Sequence, residues 1–284
     1  MVKRTPFFVG CLLLAGIAGC GARSASLVSS GRLGTGALEE RSARHKPGLN
    51  GETGADTRVG ENPGNDGSST IVIGFVGGFV RKDNAAHSPV KIAARLRASY
   101  PSGVHAEVFE NHHREDAFRR VIQLLDVSHD GKLSVEEKRD ARIIIYGMSW
   151  GGSETLALAN KLQEQHIPVL LTIQVDSVQK LGENDGLIPA NVGTAVNFYQ
   201  TDGLLHGRAQ VRAVDPSRTQ ILGNFRYAYK ANPLACKEYP WWDQWFTKYH
   251  TQIECDPAVW DRVEGLIREK IPVAEIKNAS AGPG

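Results

Sequence analysis

From about residue 70 onward, short β-branched runs alternate with amphipathic stretches along the chain. Residues 71–73, 142–146 and 169–175 are mostly apolar, as strands buried on both faces of a sheet are. The intervening stretches, such as residues 118–125, repeat apolar residues at helical spacing. Parallel strands need long crossovers, which are usually helices. The alternation therefore predicts an α/β fold with a mostly parallel sheet and helices on both faces.

The first twenty residues have the pattern of an export signal. Lys3 and Arg4 precede an apolar run over residues 7–18, which is too short to span a membrane as a helix. The run ends in an Ile-Ala-Gly-Cys motif that resembles the lipobox of bacterial lipoproteins, where Cys20 would be acylated after cleavage. An ordinary signal peptide or a short anchor is the alternative. We expect residues 1–20 to be a lipoprotein-type signal, with the exported protein lipid-anchored to a bacterial membrane and facing the periplasm or exterior.

Composition divides the remainder of the chain into three parts. Residues 21–69 are rich in Gly, Ser, Arg and Glu and have no sustained apolar run, so they cannot bury enough surface to offset the entropy of ordering. We interpret them as a flexible tether. Residues 70–275 have the usual size of one folded domain, and residues 276–284 form a flexible tail.

The charge balance excludes one large class of partner. The chain of 284 residues carries 33 Lys and Arg against 31 Asp and Glu, a formal net charge of +2. Proteins that hold nucleic acid through bulk charge usually have a marked basic excess. We therefore expect no nucleic-acid partner.

Two of the four cysteines, Cys236 and Cys255, lie in the predicted domain. Export implies an oxidising compartment, where such a pair tends to form a disulfide. Two buried free thiols are the alternative. The disulfide would pin the tryptophan-rich segment at residues 241–245 against the turn that follows it.

A G-x-S-x-G motif, Gly147 to Gly151, falls between a predicted buried strand and a predicted amphipathic helix. This is the position that a nucleophile elbow requires. Glycine removes Cβ atoms that would collide in so sharp a turn, which lets Ser149 project its hydroxyl above the sheet. The helix that follows adds free N–H groups and the positive end of its dipole.

From about residue 70 to residue 271, the chain resembles the α/β-hydrolase superfamily. In that family one oxyanion-hole N–H comes from the residue after the serine and another from a glycine-rich loop after an early strand. Trp150 and the loop that includes Gly78 and Phe79 match those positions. A plain glycine turn is the alternative interpretation of the loop.

The resemblance also implies an acid and a histidine that follow Ser149 in that order. His250 lies late in the domain, before the predicted last helix, and His206 in a glycine-bearing turn is its competitor. Asp176 ends the strand after the nucleophile strand, and Asp202 follows the next one, so both would reach the crevice at the sheet edge. We favour His250 and Asp176 and keep Asp202 as the alternative acid.

A twelve-residue stretch, residues 126–137, matches the EF-hand calcium loop position by position. Glycine occupies position 6 and leucine position 8. The oxygen ligands would come from Asp126, Ser128, Asp130, the Lys132 carbonyl, Ser134 and Glu137. Because EF-hands that act as switches usually occur in pairs and only one loop is visible, we expect one calcium ion in a structural role. A solvated acidic turn is the alternative.

These features lead to two hypotheses of different class. The first is a serine hydrolase of carboxylic esters or thioesters that uses an acyl-enzyme, needs no organic cofactor, and acts on a small-molecule or lipid ester. The second is a catalytically inactive, calcium-binding surface lipoprotein on the same scaffold, since a fold does not guarantee its chemistry.

Overall fold

The computed structural model describes residues 69–239 and 247–272. The predicted signal peptide with Cys20, the predicted tether up to residue 68, the tryptophan-rich segment at 241–245 and the predicted tail lie outside the described residues. The boundaries proposed for the tether, domain and tail therefore stay predictions.

A six-stranded sheet forms the centre of the described domain, and every neighbouring pair of its strands is parallel. Its strands are β1 (Thr70–Val76), β2 (Val104–Glu110), β3 (Arg142–Met148), β4 (Val169–Val175), β6 (Val192–Gln200) and β8 (Gln220–Tyr227). Their order across the sheet is β2-β1-β3-β4-β6-β8. Two short strands, β5 (Leu187–Ile188) and β7 (Arg212–Ala213), pair separately.

Helices cover both faces of this sheet. They are α1 (Ser88–Ser99), α2 (Arg114–Leu125), α3 (Val135–Arg139), α4 (Trp150–Glu164), α5 (Lys248–Cys255) and α6 (Pro257–Lys270). Apolar residues of α1 and α6 belong to one core cluster, and those of α2 and α4 belong to the other. The predicted fold class, α/β with a mostly parallel sheet and helices on both faces, is confirmed.

The β-branched run of β3 explains its central place. Ile143 and Ile145 pack into the cluster under α2 and α4, whereas Ile144 packs into the cluster under α1 and α6, and none of the three is exposed. Alternate side chains of a strand point to opposite faces, so only an apolar run satisfies both layers. Each such side chain contributes about 1.5–3 kcal/mol by burial. The strand that precedes Ser149 is thus rigidly held.

The strand order reverses between β1 and β3, because the chain proceeds from β1 to β2 on one side and returns to β3 on the other. In open α/β sheets, ligands bind in the crevice outside the carboxyl ends of the strands at such a reversal. The residues that follow β1 and β3 therefore meet where a binding site is expected.

Three local features differ from the expectations of the sequence. The edge strand β8 and the helix α5 are not predicted, and His250 lies in the first turn of α5 rather than in a loop. Helix α1 begins at Ser88, with His87 as its N-cap and Pro89 inside its first turn. Among the described residues, none of the helices combines the length and apolar character needed to cross a membrane.

Candidate active site

Ser149 occupies the turn between β3 and α4 in a strained conformation, with φ 58° and ψ −125°. A methyl group on Gly147 would lie 2.2 Å from the carbonyl oxygen of Gly151, and one on Gly151 would lie 2.5 Å from the carbonyl oxygen of Phe75. Both positions consequently require glycine. Non-glycine residues persist at such backbone angles only where their surroundings enforce them, and this happens mainly at functional sites.

The glycine-rich loop after β1 lies directly against Ser149. A methyl group on Gly77 would be 2.7 Å from Ser149 Cβ and 3.5 Å from its Oγ. Within the described ranges, the backbone N–H groups of Gly78, Phe79 and Trp150 donate no hydrogen bond. Free N–H groups beside a hydroxyl are what an oxyanion hole requires. The structure thus brings together the residues that the sequence indicated for this role.

Two aromatic rings border the same loop. Phe79 is 87% exposed, and its ring meets Trp150 edge to face at a centroid distance of 5.8 Å. Since Trp150 is the first residue of α4, the contact joins the glycine-rich loop to the start of the helix that follows Ser149. An exposed phenylalanine in this place offers apolar surface at the entrance to the site.

His250 and Asp176 form a buried pair. Nδ1 of His250 lies 2.7 Å from Oδ2 of Asp176, and the two side chains are 9% and 0% exposed. An ionised carboxylate only accepts hydrogen bonds, so we assign the ring proton to Nδ1. Nε2, on the opposite edge of the ring, then carries the lone pair that can accept a proton. The tautomer matches that of a general base.

Asp176 is itself held from several directions. Its Oδ1 accepts the backbone N–H groups of Gln200 at 3.1 Å and Gly207 at 2.7 Å, and its Oδ2 accepts the Gln200 amide at 2.8 Å. These bonds offset the cost of burying a carboxylate. A methyl group on Gly207 would lie 2.3 Å from the Asp176 carbonyl carbon. Sequence reasoning missed Gln200, the last residue of β6, and Gly207, which follows that strand; this placement is their only signal.

Ser149 and Asp176 follow neighbouring strands. Met148 is paired with Val175 in the sheet, and the N–H of Ser149 donates to the Val175 carbonyl at 3.0 Å. Within the described residues, Ser149 Oγ makes no hydrogen bond to the His250 ring. Such contacts are often long without substrate and tighten in the complex. Ser149 is largely buried, with 9% of its surface exposed.

Helix α5, which carries His250, is fixed at its far end. Nδ1 of His87 lies 2.6 Å from Glu254 Oε1, and the Ser88 hydroxyl donates to the Glu254 carbonyl at 2.8 Å. Cys255, the last residue of α5, forms a disulfide with Cys236, with Cα atoms 5.8 Å apart. The sequence predicted this disulfide. Its position beside the histidine helix makes it part of the scaffold of the site.

A buried carboxylate anchors the helix that follows Ser149. Glu154 on α4 is 1% exposed and accepts hydrogen bonds from Arg114 Nε at 2.7 Å and from Lys180 Nζ at 2.5 Å. The hydrogen bond to Glu154 raises the pKa of the Arg114 guanidinium and outweighs the opposing effect of burial. Arg114 begins α2 and Lys180 lies in the loop after Asp176, so this cluster fixes both neighbours of α4.

The competing candidates lie elsewhere. Oδ2 of Asp202 accepts the backbone N–H groups of Tyr229 and of Lys230, the latter at 3.1 Å. Burial would raise the pKa of this carboxyl, but the two hydrogen bonds outweigh burial and lower it. His206 is exposed, and its ring contacts the carbonyl oxygen of Gly207. Asp202 thus braces the chain after β8, and the described structure pairs His250 with Asp176 instead.

The EF-hand-like loop connects two helices, as the motif requires: α2 ends at Leu125 and α3 begins at Val135. Gly131, at position 6, has φ 80°. The carboxylate of Asp126 accepts the N–H groups of Asp130 at 3.2 Å and Gly131 at 3.0 Å. The loop therefore wraps around its first carboxylate.

Glu137 closes the same loop. Its two oxygens accept backbone N–H groups of Ser134 at 2.8 Å, Val127 at 2.9 Å and Ser128 at 3.1 Å. These bonds, led by that from Ser134, lower its pKa to about 2. The donor set fits calcium in chemistry, since it consists of ionised carboxylates and other oxygens. In the described structure, however, Asp126, Asp130 and Glu137 do not converge within 4.8 Å, so Glu137 must release its backbone partners to bind an ion.

No protein-family model matches the chain, and no curated protein sequence matches it. Among solved structures, a thermostable esterase from Pseudomonas putida is 11% identical, with 73% of this chain and 76% of that chain covered and a TM-score of 0.40. Est1E from Butyrivibrio proteoclasticus is 10% identical, with 73% and 90% covered and a TM-score of 0.35.

An acetylxylan esterase is also 10% identical, with 72% of this chain and 99% of that chain covered and a TM-score of 0.37. All three TM-scores lie below 0.5, so they carry no inference about activity. The site of this chain combines a strained serine, a buried Asp176–His250 pair and unpartnered N–H groups at one edge of a parallel sheet.

Proposed function

We propose that the protein is a serine hydrolase that cleaves carboxylic esters or thioesters through an acyl-enzyme. Ser149 is the nucleophile, His250 the general base and Asp176 the group that orients it. The buried 2.7 Å hydrogen bond from His250 to Asp176 carries this proposal, because it joins residues far apart in sequence at the edge where Ser149 lies. An inactive binding protein has no need of such a pair.

In the first step, Nε2 of His250 takes the hydroxyl proton while Ser149 Oγ attacks the acyl carbon. The imidazolium that forms is stabilised by Asp176, which keeps its charge throughout. The same proton then passes to the departing alkoxide or thiolate as the bond to the acyl carbon breaks. Water, activated by His250, hydrolyses the acyl-enzyme and restores Ser149.

The tetrahedral intermediate places negative charge on the former carbonyl oxygen. The free N–H of Trp150, at the start of α4, and those of Gly78 and Phe79 support a role in binding that oxygen. One such donor typically contributes about 2.7–4 kcal/mol to transition-state stabilisation. Only side chains and backbone groups take part, so the reaction needs no organic cofactor.

Labelling with a fluorophosphonate probe tests this proposal. We expect the wild-type protein to be labelled, Ser149→Ala to lose labelling completely and His250→Ala to lose most of it. Ser217→Ala, which changes an exposed turn serine, is the matched control and should label normally. Labelling that persists in Ser149→Ala, or no labelling of a folded wild-type protein, would favour the inactive binding protein instead.

We also propose that residues 126–137 bind one calcium ion with a structural role. The helix–loop–helix arrangement and the ionised Glu137 support this proposal. The ion would hold together the crossover between α2 and β3, the strand that leads to Ser149.

Thermal unfolding with EDTA and with added calcium tests this site. Calcium at about 100 times its Kd should stabilise the protein by about 2.7 kcal/mol. Glu137→Gln should abolish that increment, whereas Glu136→Gln, the exposed neighbour outside the ligand set, should preserve it. Equal stability with EDTA and with calcium would exclude a structural ion.

We further propose that Cys20 carries a lipid that anchors the protein to a bacterial membrane, where it meets ester substrates. The export signal and the motif before Cys20 support this proposal. Incorporation of labelled fatty acid should occur in the wild type and in Cys11→Ala but not in Cys20→Ala. Incorporation that survives Cys20→Ala would indicate another anchor.

A further inference from the structure

A second group of chemically reactive side chains lies at the junction of β2 and α2, outside the serine site. Oε2 of Glu110 is 3.4 Å from Nε2 of His112 and 3.8 Å from Nε2 of His113. One ligand atom from each residue lies within 4.8 Å of the others. Within the described part of the chain, no other group of three His, Cys, Asp or Glu side chains converges this closely.

The distances between the ligand atoms of Glu110 and the two histidines are close to those around a bound metal ion. With metal–ligand distances of about 2.0–2.2 Å, neighbouring ligand atoms around a tetrahedral zinc ion lie roughly 3.3 Å apart. The two distances from Glu110 to the histidines come within a small side-chain rotation of that value. Two imidazoles and one carboxylate form a ligand set typical of zinc sites that leave the fourth position open.

Outer hydrogen bonds orient two of the three ligands. Nδ1 of His113 lies 2.7 Å from Oδ2 of Asp116, which leaves its Nε2 facing Glu110. The other oxygen of Glu110 accepts the backbone N–H of Lys82 at 3.3 Å. Metal-binding histidines almost always donate their second ring nitrogen to a carboxylate, carbonyl or water, and ligating carboxylates are themselves hydrogen-bonded. A simple ion pair between Glu110 and one histidine would need neither arrangement.

We propose that Glu110, His112 and His113 bind a divalent transition-metal ion of the zinc type, with Asp116 as the positioning residue for His113. Water fills the fourth position, since the side chains of His112 and His113 are 63% and 45% exposed. This site is separate from the calcium loop, because His113 precedes the first residue of α2 and Asp126 follows its last.

The metal site adjoins the loop that borders Ser149. Glu110 holds the N–H of Lys82, and the side chain of Asn111 donates to the carbonyl of Gly78. Glu110 and the adjacent Asn111 thus contact the segment from Gly78 to Lys82, which includes Phe79. A bound ion would restrain that loop. Any effect of this restraint on ester hydrolysis rests on the proposed hydrolase function, whereas metal binding itself does not.

Calorimetric titration of the tag-free, full-length protein with Zn²⁺, in excess calcium to saturate the EF-hand-like loop, tests the proposal. We expect one zinc ion per chain. His112→Ala/His113→Ala should bind at least tenfold more weakly, and Asp116→Asn about 10–100-fold more weakly. His105→Ala, an exposed histidine on β2, is the matched control and should bind as the wild type does.

The absence of zinc binding, or equal affinity in the double variant and the wild type, would overturn the proposal. Thermal unfolding of each variant without metal confirms that the surface substitutions leave the fold intact. Titration of Ser149→Ala separates the two proposals: unchanged zinc affinity in a protein that no longer labels shows that the metal site stands independently of the hydrolase chemistry.

Discussion

The Asp176–His250 pair and the calcium-like loop at 126–137 both present carboxylates, but they are built in opposite ways. Asp176 is fully buried and bonds a histidine 74 positions away. Glu137 is only partly exposed and accepts hydrogen bonds from the backbone of its own loop, within 10 positions. The first site exists only when the sheet and α5 are assembled, whereas the second follows from a continuous stretch of sequence.

This difference in burial determines how each site responds to amino-acid substitution. A buried carboxylate that orients a histidine has no replacement, because water is excluded from its position. Water can reach the hydrogen-bond donors around a partly exposed carboxylate, so losing that carboxylate costs less. Substitutions at the serine site should therefore have larger effects than substitutions in the loop.

The largest expected effect comes from Asp176→Asn. An amide at this position imposes the wrong tautomer on His250, and kcat for ester hydrolysis should fall by about 10⁴-fold. Asp202→Asn is the matched control, since Asp202 accepts backbone N–H groups away from His250, and kcat should stay within about threefold of the wild type. A large fall in kcat for Asp202→Asn with a small change for Asp176→Asn would assign the role of the acid to Asp202.

Substitution of one glycine by alanine in each region compares how tightly the two backbones are packed. Gly147→Ala places a methyl group 2.2 Å from the Gly151 carbonyl oxygen, so the free energy of unfolding should fall by about 3 kcal/mol or more. A methyl group on Gly131 meets nothing within 4 Å and suffers only from its φ of 80°, which costs about 1–2 kcal/mol. Urea unfolding measures both. Equal losses would show that the turn at Ser149 is no tighter than the loop.

Removal of the Cys236–Cys255 disulfide should lower stability and hydrolysis but leave calcium binding unchanged. The disulfide closes a sequence separation of 19, so Cys236→Ser/Cys255→Ser should lower the free energy of unfolding by about 3 kcal/mol. Because α5 carries His250, hydrolysis should decline at temperatures where the wild type is stable. Calcium affinity, measured by titration, should not change. A parallel loss of calcium binding would show that the two regions are coupled.

The smallest expected effect is the pH dependence of Glu137. Its folded pKa of about 2 lies below the ordinary value of 4.5, so the ionised side chain stabilises the folded state above pH 4.5. That contribution is lost as the pH falls from 4.5 towards 2. Without calcium, the stability difference between wild type and Glu137→Gln should shrink over this range, as measured by urea unfolding at each pH. A constant difference would contradict the hydrogen bonds assigned to Glu137.

The strands and the serine turn were accessible from local pattern alone. β4 has the predicted bounds, and β3 and β1 extend the predicted runs by a few residues, because β-branched residues buried on both faces leave little ambiguity. Strand β8 was missed because it lies at the sheet edge, where many of its side chains are exposed and the apolar pattern is lost. Helix α5 was missed because its eight residues are too few to show a helical repeat of apolar positions over several turns.

The sequence by itself determined the parallel α/β architecture, the placement of Ser149 between β3 and α4, and the oxygen-rich loop, since each depends on residues adjacent in the chain. Only the tertiary structure decided that Asp176 rather than Asp202 meets His250, that Gln200 and Gly207 brace the carboxylate, and that Glu110 faces two histidines. Those contacts depend on the direction in which side chains leave separate elements, and local periodicity carries no information about that direction.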